Sequence, residues 1–342
     1  MKTNFLILLI IAGLFAFGQS CSKENDNPNP IPPPASIKPQ GLSKIEEVLN
    51  GDDQNLIDLL NIVRGSVGKR GPASKTIWSR KNNYGLGLYV SANHVYSISG
   101  WNNRNAEFFD LANENMGIFE TSQIPPVDGS LELGNILITD FPLMHFDISP
   151  SATNSTLLPS EDFYLGIVDN QRVEQGQFPQ YPELVDTKVP LLMYDPSNRT
   201  KFVQTWNTPI EGEVAMLVGY PQDEENYPNG AVATGIILSD EEANTVIAEL
   251  KAAGDSEGDI PYNSSVEFFV QAQGLAGMSG GGAFNASGQL LGIMVRASDK
   301  ENAPKIIRIV RITHIKSKLS DFYNGLSQTE KNKLIPYING EI

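Results

Sequence analysis

The chain has 342 residues, 40% hydrophobic and 19% charged, which is enough apolar mass for a sizeable core and too few charges for global disorder. Its net charge of −15 leaves no excess of lysine and arginine to neutralise phosphates, which argues against a nucleic-acid partner. Beyond that the acidic balance mainly favours solubility.

Lys2 precedes an apolar run from Phe5 to Phe17. That run is shorter than the roughly 20 residues needed to span a bilayer and suits the hydrophobic region of an export signal. Gly18-Gln19-Ser20-Cys21 follows and resembles a bacterial lipoprotein signal, although Gly18 stands where leucine is preferred and Gln19 where a small residue is. Cys21 is the only cysteine, so no internal disulfide forms, and the resemblance implies that it is lipidated. Residues 1–20 then read as a signal peptide. Residues 21–42, dense in proline, read as an extended tether that holds an exported domain off a membrane, an outer membrane or cell surface. A lipid on Cys21 anchors the chain without spanning the bilayer.

Residues 43–75 read as a helical extension. Ser43 and Glu46 make a capping box. Ile45, Val48 and Leu49 form one apolar stripe, and Leu56, Leu59, Leu60 and Val63 form another beyond Gly51. Residues 76–342 read as one domain with a different texture. Short apolar or alternating runs lie between Gly, Pro, Asn and Asp: Gly87–Ser91, Ala106–Leu111, Leu131–Thr139, Leu143–Ile148, Tyr164–Val168, Val189–Tyr194, Val214–Tyr220, Val232–Leu238, Val266–Ala272, Gln289–Val295 and Lys305–Ile312. That many short strands indicates an all-β fold, and two barrels in tandem fit the count. Residues 150–188, rich in Pro, Asn, Gln and Glu, read as a long loop or insertion. Asp240 caps a helix running to about Ala253. Thr313–Tyr323 is a second helix, and a capping box at Ser327 and Glu330 opens a third.

The most informative stretch is Gly277-Met278-Ser279-Gly280-Gly281-Gly282. It fits the G-x-S-x-G pattern of a nucleophile elbow, which needs a strand entering the serine, a helix leaving it, and an acid and a histidine downstream. Three glycines and the turn Asn285-Ala286-Ser287-Gly288 lead into a strand instead. Asp299 and His314 follow with no room for the alternating strands and helices of that fold.

The longer segment GMSGGGAFNASGQLLGIMV resembles the nucleophile segment of the chymotrypsin-like serine proteases, where a G-x-S-G-G loop precedes a hairpin and a strand of type L-x-G-I. That family orders its triad His, Asp, Ser. Of the three histidines, His94 lies in LYVSANHVYSI, similar to the family's V-(S/T)-A-x-H, whereas His145 and His314 read as structural. Ile138-Thr139-Asp140-Phe141-Pro142-Leu143-Met144 resembles the family's D-(I/L)-A-L-L and nominates Asp140, with Pro142 in place of alanine. Asp147 is a rival acid at the wrong end of the apolar run. VAMLVGYP at 214–221 and ATGIILS at 233–239 look like the opening strands of the family's second barrel.

The resemblance implies an all-β fold of two antiparallel six-stranded β-barrels, with N-terminal helices and a C-terminal helix. It implies that Ser279 attacks, His94 moves the proton and Asp140 holds the imidazole, while the N–H groups of Gly277 and Ser279 form an oxyanion hole. The implied substrate is a polypeptide, and the reaction needs no cofactor and no metal. Gln273, six residues before the serine, is neutral, so a preference for Lys or Arg is not implied. Arg296 in the pocket wall either attracts an acidic substrate side chain or faces solvent. Met278 replaces the Asp or Asn of many members, so activation by a freed N-terminus is not implied. The expectation is a lipid-anchored serine endopeptidase. The alternatives are a non-catalytic descendant that serves as an envelope binding or scaffold protein, and an acyl-ester hydrolase using the same triad.

Overall fold

The computed structural model describes residues 36–338, apart from 72, 81–85, 98–115, 121, 123, 125–134, 140–141, 145, 147–156 and 170–205. The export signal, Cys21 and most of the tether lie outside the described residues, as do the strands expected at 106–111 and 189–194. The described chain begins with strand β1 (Gln40–Lys44), followed by helices α1 (Ile45–Leu49) and α2 (Gln54–Val63). Ser43 lies within β1 opposite Val232, so the capping box expected there does not form. One residue later the Lys44 N–H donates to the Glu47 carboxylate at 3.1 Å. Asp53 accepts the Leu56 N–H at 3.1 Å, satisfying an amide that the first turn of α2 cannot. Leu56, Leu60 and Val63 recur at helical spacing on α2 and are buried.

Strands β2 (Val67–Arg70) and β3 (Ala73–Arg80) form an antiparallel hairpin. With β4 (Leu86–Ser91), β5 (Met116–Glu120), β6 (Asn135–Thr139), β7 (Pro142–Met144) and β8 (Tyr164–Asp169) they make a seven-stranded antiparallel sheet ordered β6-β5-β2-β3-β4-β8-β7. Segment 43–75 is therefore not a separate extension, because β2 and the start of β3 fall inside it. Their sequences, VGKR and ASKT, lack the apolar alternation that marks a strand. The stretch 150–188 is likewise not one continuous insertion, because β8 pairs with β4 along its whole length, from Leu86 opposite Asp169 to Ser91 opposite Tyr164.

The second half of the chain supplies β9 (Val214–Gly219), β10 (Ala231–Ile237), β11 (Glu267–Gln271), β12 (Gly282–Phe284), β13 (Leu290–Ala297) and β14 (Ile307–Arg311). Strand β10 pairs with both β9 and β11, so the order β10-β11-β14-β13-β12-β9 closes into a six-stranded antiparallel barrel, with β1 added on β10. The protein is thus mostly β, a closed six-stranded barrel plus a second sheet. The first sheet has seven strands, and among the described residues its pairings leave it open between β6 and β7. Strand β9 shows how the halves are packed. Ala215 and Leu217 point into the barrel with Phe268, Val270 and Ile309. Met216 and Val218 point the other way, into a core shared with Val90, Leu165 and the buried face of α2, as period-two alternation requires. Each fully buried Leu, Ile, Val or Phe in that core contributes about 1.5–3 kcal/mol.

Helices are few. The short helix α3 (Asn93–Ser97) follows β4. Helix α4 (Asp240–Ala252) is capped by Ser239 rather than Asp240: the Glu242 N–H donates to Ser239 Oγ at 3.2 Å, and the Ser239 N–H returns a bond to the Glu242 carboxylate at 2.8 Å. Helices α5 (Ile312–Gly325) and α6 (Gln328–Ile338) end the described chain. The expected box at the start of α6 forms, with the Ser327 N–H donating to the Glu330 carboxylate at 2.7 Å.

Candidate active site

Strand β4 delivers His94, three residues past its end and inside α3. Asn93 fixes that turn: its Nδ2 donates to the Phe146 carbonyl at 2.7 Å and its Oδ1 accepts the Phe146 N–H at 3.4 Å. Because β4 and β8 are antiparallel with Ser91 opposite Tyr164, residues just past β4 lie beside those just before β8. That register brings His94 to Asp162. The Asp162 carboxylate accepts the His94 backbone N–H at 2.9 Å, and its two oxygens lie 3.0 and 2.9 Å from Nδ1. A carboxylate accepts at this position, so in a neutral imidazole Nδ1 carries the proton and Nε2 is left as the acceptor. The Asp162 side chain is fully buried, whereas that of His94 is 31% exposed. The carboxylate is shielded and the imidazole is reachable from outside.

Among the described residues, Asp162 is thus the carboxylate that meets His94, the contact expected of Asp140. Asp140 lies outside the described residues, as do Asp147 and His145. His314, on α5, supports the Asp162 segment from the other side. Its Nε2 is 3.1 Å from the Ser160 carbonyl, and its ring meets Phe163 edge-on at 5.9 Å. Burial holds the His314 imidazole below its ordinary pKa, which favours the neutral form that donates a single N–H to Ser160.

Ser279 lies in the loop between β11 and β12, half-buried, with Oγ 3.5 Å from the Val295 carbonyl. A strand, not a helix, follows it, which removes the elbow reading. The peptide planes around Ser279 are fixed from outside. The Ala276 carbonyl accepts the Gln222 N–H at 2.8 Å, and the Met278 carbonyl accepts the Gly281 N–H at 2.9 Å. In a planar trans peptide the N–H points opposite the carbonyl, so these bonds set the directions of the Gly277 and Ser279 N–H groups. The amides of Met278, Gly280 and Gly281 each donate to a backbone carbonyl, and among the described residues none accepts from Gly277 or Ser279. Two uncommitted donors on either side of one residue are the raw material of an oxyanion hole. Gly277 and Gly280 have φ of +95° and +87°. A Cβ would strike the backbone of Tyr220–Gln222 at the first and of Ser74 at the second. The unusual Met278 is buried in the barrel core, against Gly219 and Met294.

The first sheet holds this loop. The Ser74 N–H donates to the Ser279 carbonyl at 3.0 Å and Thr76 Oγ1 donates to the Gly280 carbonyl at 3.0 Å. A Cβ on Gly280 would lie 3.0 Å from Ser91 Cα, three residues before His94. The serine loop of the barrel is thus docked on the strands that carry the imidazole.

Beside Ser279 opens a cavity of about 430 Å³ whose lining includes Gln273, Met278, Met294, Arg296 and Ile307. Gln273 is exposed at its rim. Arg296 neither faces solvent nor offers an unmatched charge: its side chain is 7% exposed. Its Nη1 is 3.2 Å from Glu257 Oε1, its Nη2 donates to the Leu157 carbonyl at 2.9 Å, and its Nε is 4.0 Å from Asp162 Oδ2. Glu257 in turn meets Arg308 Nε at 2.9 Å, and Arg308 Nη1 bonds both oxygens of Glu267 at 2.9 and 3.1 Å. Burial raises both carboxyls, against the pull of the arginines, and Glu267 reaches about 7.

Neither a protein-family model nor a curated protein sequence matches the chain. Among solved structures it is similar to an inactive serine-to-alanine mutant of Rv3671c from M. tuberculosis H37Rv. The identity is 12% and the TM-score 0.40, over 86% of this chain and 98% of that one. It is also similar to the apo MamO protease domain from Magnetospirillum magneticum, at 14% identity and a TM-score of 0.38, over 75% of this chain and 96% of that one. At this level of likeness the site stands on its own hydrogen bonds and burial.

Proposed function

We propose that the chain is a chymotrypsin-like serine endopeptidase in which Ser279 is the nucleophile, His94 the base and Asp162 the residue that orients it. The observation that carries the reading is the buried Asp162 carboxylate on His94 Nδ1, because it fixes the tautomer a general base needs. Nε2 takes the Ser279 proton as Oγ attacks a peptide carbonyl, and gives it to the leaving amine. The N–H groups of Gly277 and Ser279 stabilise the oxyanion. Water then resolves the acyl-enzyme. The cavity beside Ser279 receives the side chain preceding the cut bond. Arg296 is already paired with Glu257, Met278, Met294 and Ile307 line the walls, and Asp299 and Lys305 there carry opposite charges, so the reading favours a neutral side chain. The same reading keeps the exported, Cys21-anchored location, which puts the domain at an envelope surface.

The test is turnover by the purified chain of a fluorogenic peptide library and of p-nitrophenyl esters, each against Ser279→Ala. The reading expects Ser279-dependent peptide cleavage after neutral residues. Ester turnover alone would make the chain an acyl hydrolase. No turnover of either by folded protein would make it a non-catalytic binding protein.

A further inference from the structure

Ser74 meets the serine loop with more than its backbone. It is fully buried at the start of β3. Its Oγ accepts the Tyr220 N–H at 2.7 Å and donates to the Gly277 carbonyl at 2.8 Å. Its own carbonyl accepts Ser91 Oγ at 2.7 Å, and its N–H holds the Ser279 carbonyl. A hydroxyl has a single proton, and Tyr220 contributes a donor, so the Ser74 proton goes to Gly277. One side chain from the first sheet thus ties the end of β9 to the carbonyl of a glycine at φ +95°.

That carbonyl defines the peptide plane following Gly277, just as the Ala276 carbonyl, held by Gln222, defines the plane before it. The plane following Gly277 is also held by the Met278 N–H on the Leu275 carbonyl at 3.1 Å, and glycine tolerates both signs of φ, so losing the Ser74 bond leaves that single longer bond to stop the Gly277 N–H from rotating away from the reacting carbonyl. We infer that Ser74 is a positioning residue: its hydroxyl, supplied by the other half of the fold, holds Gly277 in the conformation that aims its N–H into the oxyanion hole. This rests on the serine-hydrolase reading above.

The experiment is saturation labelling of the whole chain by a fluorophosphonate, which separates probe binding (KI) from phosphonylation of the serine (kinact). Wild type, Ser74→Ala, Ser74→Cys and Ser279→Ala are compared at a temperature where melting curves show each folded. In Ser74→Ala, kinact falls tenfold or more, short of the about 10²–10³-fold cost of deleting an oxyanion donor, while KI changes by less than about threefold. Ser74→Cys, with a weak donor of similar shape, falls in between. A purely structural role would lower the labelled fraction in proportion to unfolding and leave kinact of the folded fraction unchanged, and that result overturns the inference. If Ser74→Ala does not fold, wild-type kinact in Ser74→Cys overturns it equally. Failure of wild type to label at Ser279 refutes the parent reading instead, so the two failures are distinguishable.

Discussion

Replacing Asp162 with asparagine changes one charge and almost no volume, and the geometry dictates its effect. Oδ1 accepts the His94 backbone N–H at 2.9 Å and lies 3.0 Å from Nδ1, while Oδ2 lies 2.9 Å from Nδ1. An asparagine must put its NH2 at one of these positions. At Oδ2 it meets the Nδ1 proton. At Oδ1 it meets the backbone N–H as well, so the amide keeps its oxygen there and sets its NH2 2.9 Å from Nδ1 at the Oδ2 position, where an unprotonated Nδ1 is the better partner. The imidazole escapes by moving its proton to Nε2, where it can no longer accept from Ser279. The corresponding change in the chymotrypsin-type template lowers kcat about 10⁴-fold, or roughly 5 kcal/mol of transition-state stabilisation. The assay is kinact/KI for a fluorophosphonate, with thermal melts to verify folding. Asp162→Asn should lose about that factor and Asp140→Asn should stay within about threefold of wild type. If folded Asp162→Asn labels within about tenfold of wild type, or Asp140→Asn loses as much as it does, the assignment of the acid is wrong.

Gly280→Ala should lower the melting temperature, since a left-handed φ costs alanine about 1–2 kcal/mol and the new methyl strikes the Ser74 carbonyl and Ser91 Oγ; an unchanged melt would contradict the docking of the loop. Glu267 gives a pH prediction. Its carboxyl titrates at about 7 in the fold, against 4.5 ordinarily, so between those values the folded chain binds more protons than the unfolded one and stability falls as pH rises. Glu267→Gln removes that slope. Its stability relative to wild type should rise by on the order of 3 kcal/mol from pH 4.5 to 7 in urea unfolding, and a difference that stays flat with pH would show that Arg308 keeps Glu267 ionised throughout.

The features of the candidate site that depend on neighbouring residues were legible in the sequence. Ser279 is flanked by the glycines that its loop requires, and His94 follows a strand ending in small residues. The carboxylate that meets His94 was not, because two segments carry the same local signature. Asp140 precedes Phe141-Pro142-Leu143-Met144, and Asp162 precedes Phe163-Tyr164-Leu165-Gly166-Ile167-Val168. The second is the longer apolar run and reads as a strand, but it lies in an otherwise polar stretch and its local pattern does not say which strand it pairs with. Only the pairing of β4 with β8 places Asp162 beside His94, and pairing between strands so far apart in sequence leaves no local trace. The pairing of Arg296 escapes the sequence for a similar reason. A charged residue in a pocket wall signals solvent or substrate until Glu257, 39 residues upstream, is folded against it. Strands β1 and β2 were missed because edge-like sequences such as QGLSK and VGKR become strands through backbone pairing with β10 and β3 rather than through their own pattern.

The central claim is that Ser279 is a nucleophile activated by His94. Intact-mass and peptide-level mass spectrometry of the chain after fluorophosphonate treatment tests it most directly. The account predicts one adduct, on the peptide containing Ser279, that is absent from Ser279→Ala and nearly absent from His94→Ala. An unmodified folded protein, an adduct at another residue, or labelling that survives His94→Ala undiminished would contradict it.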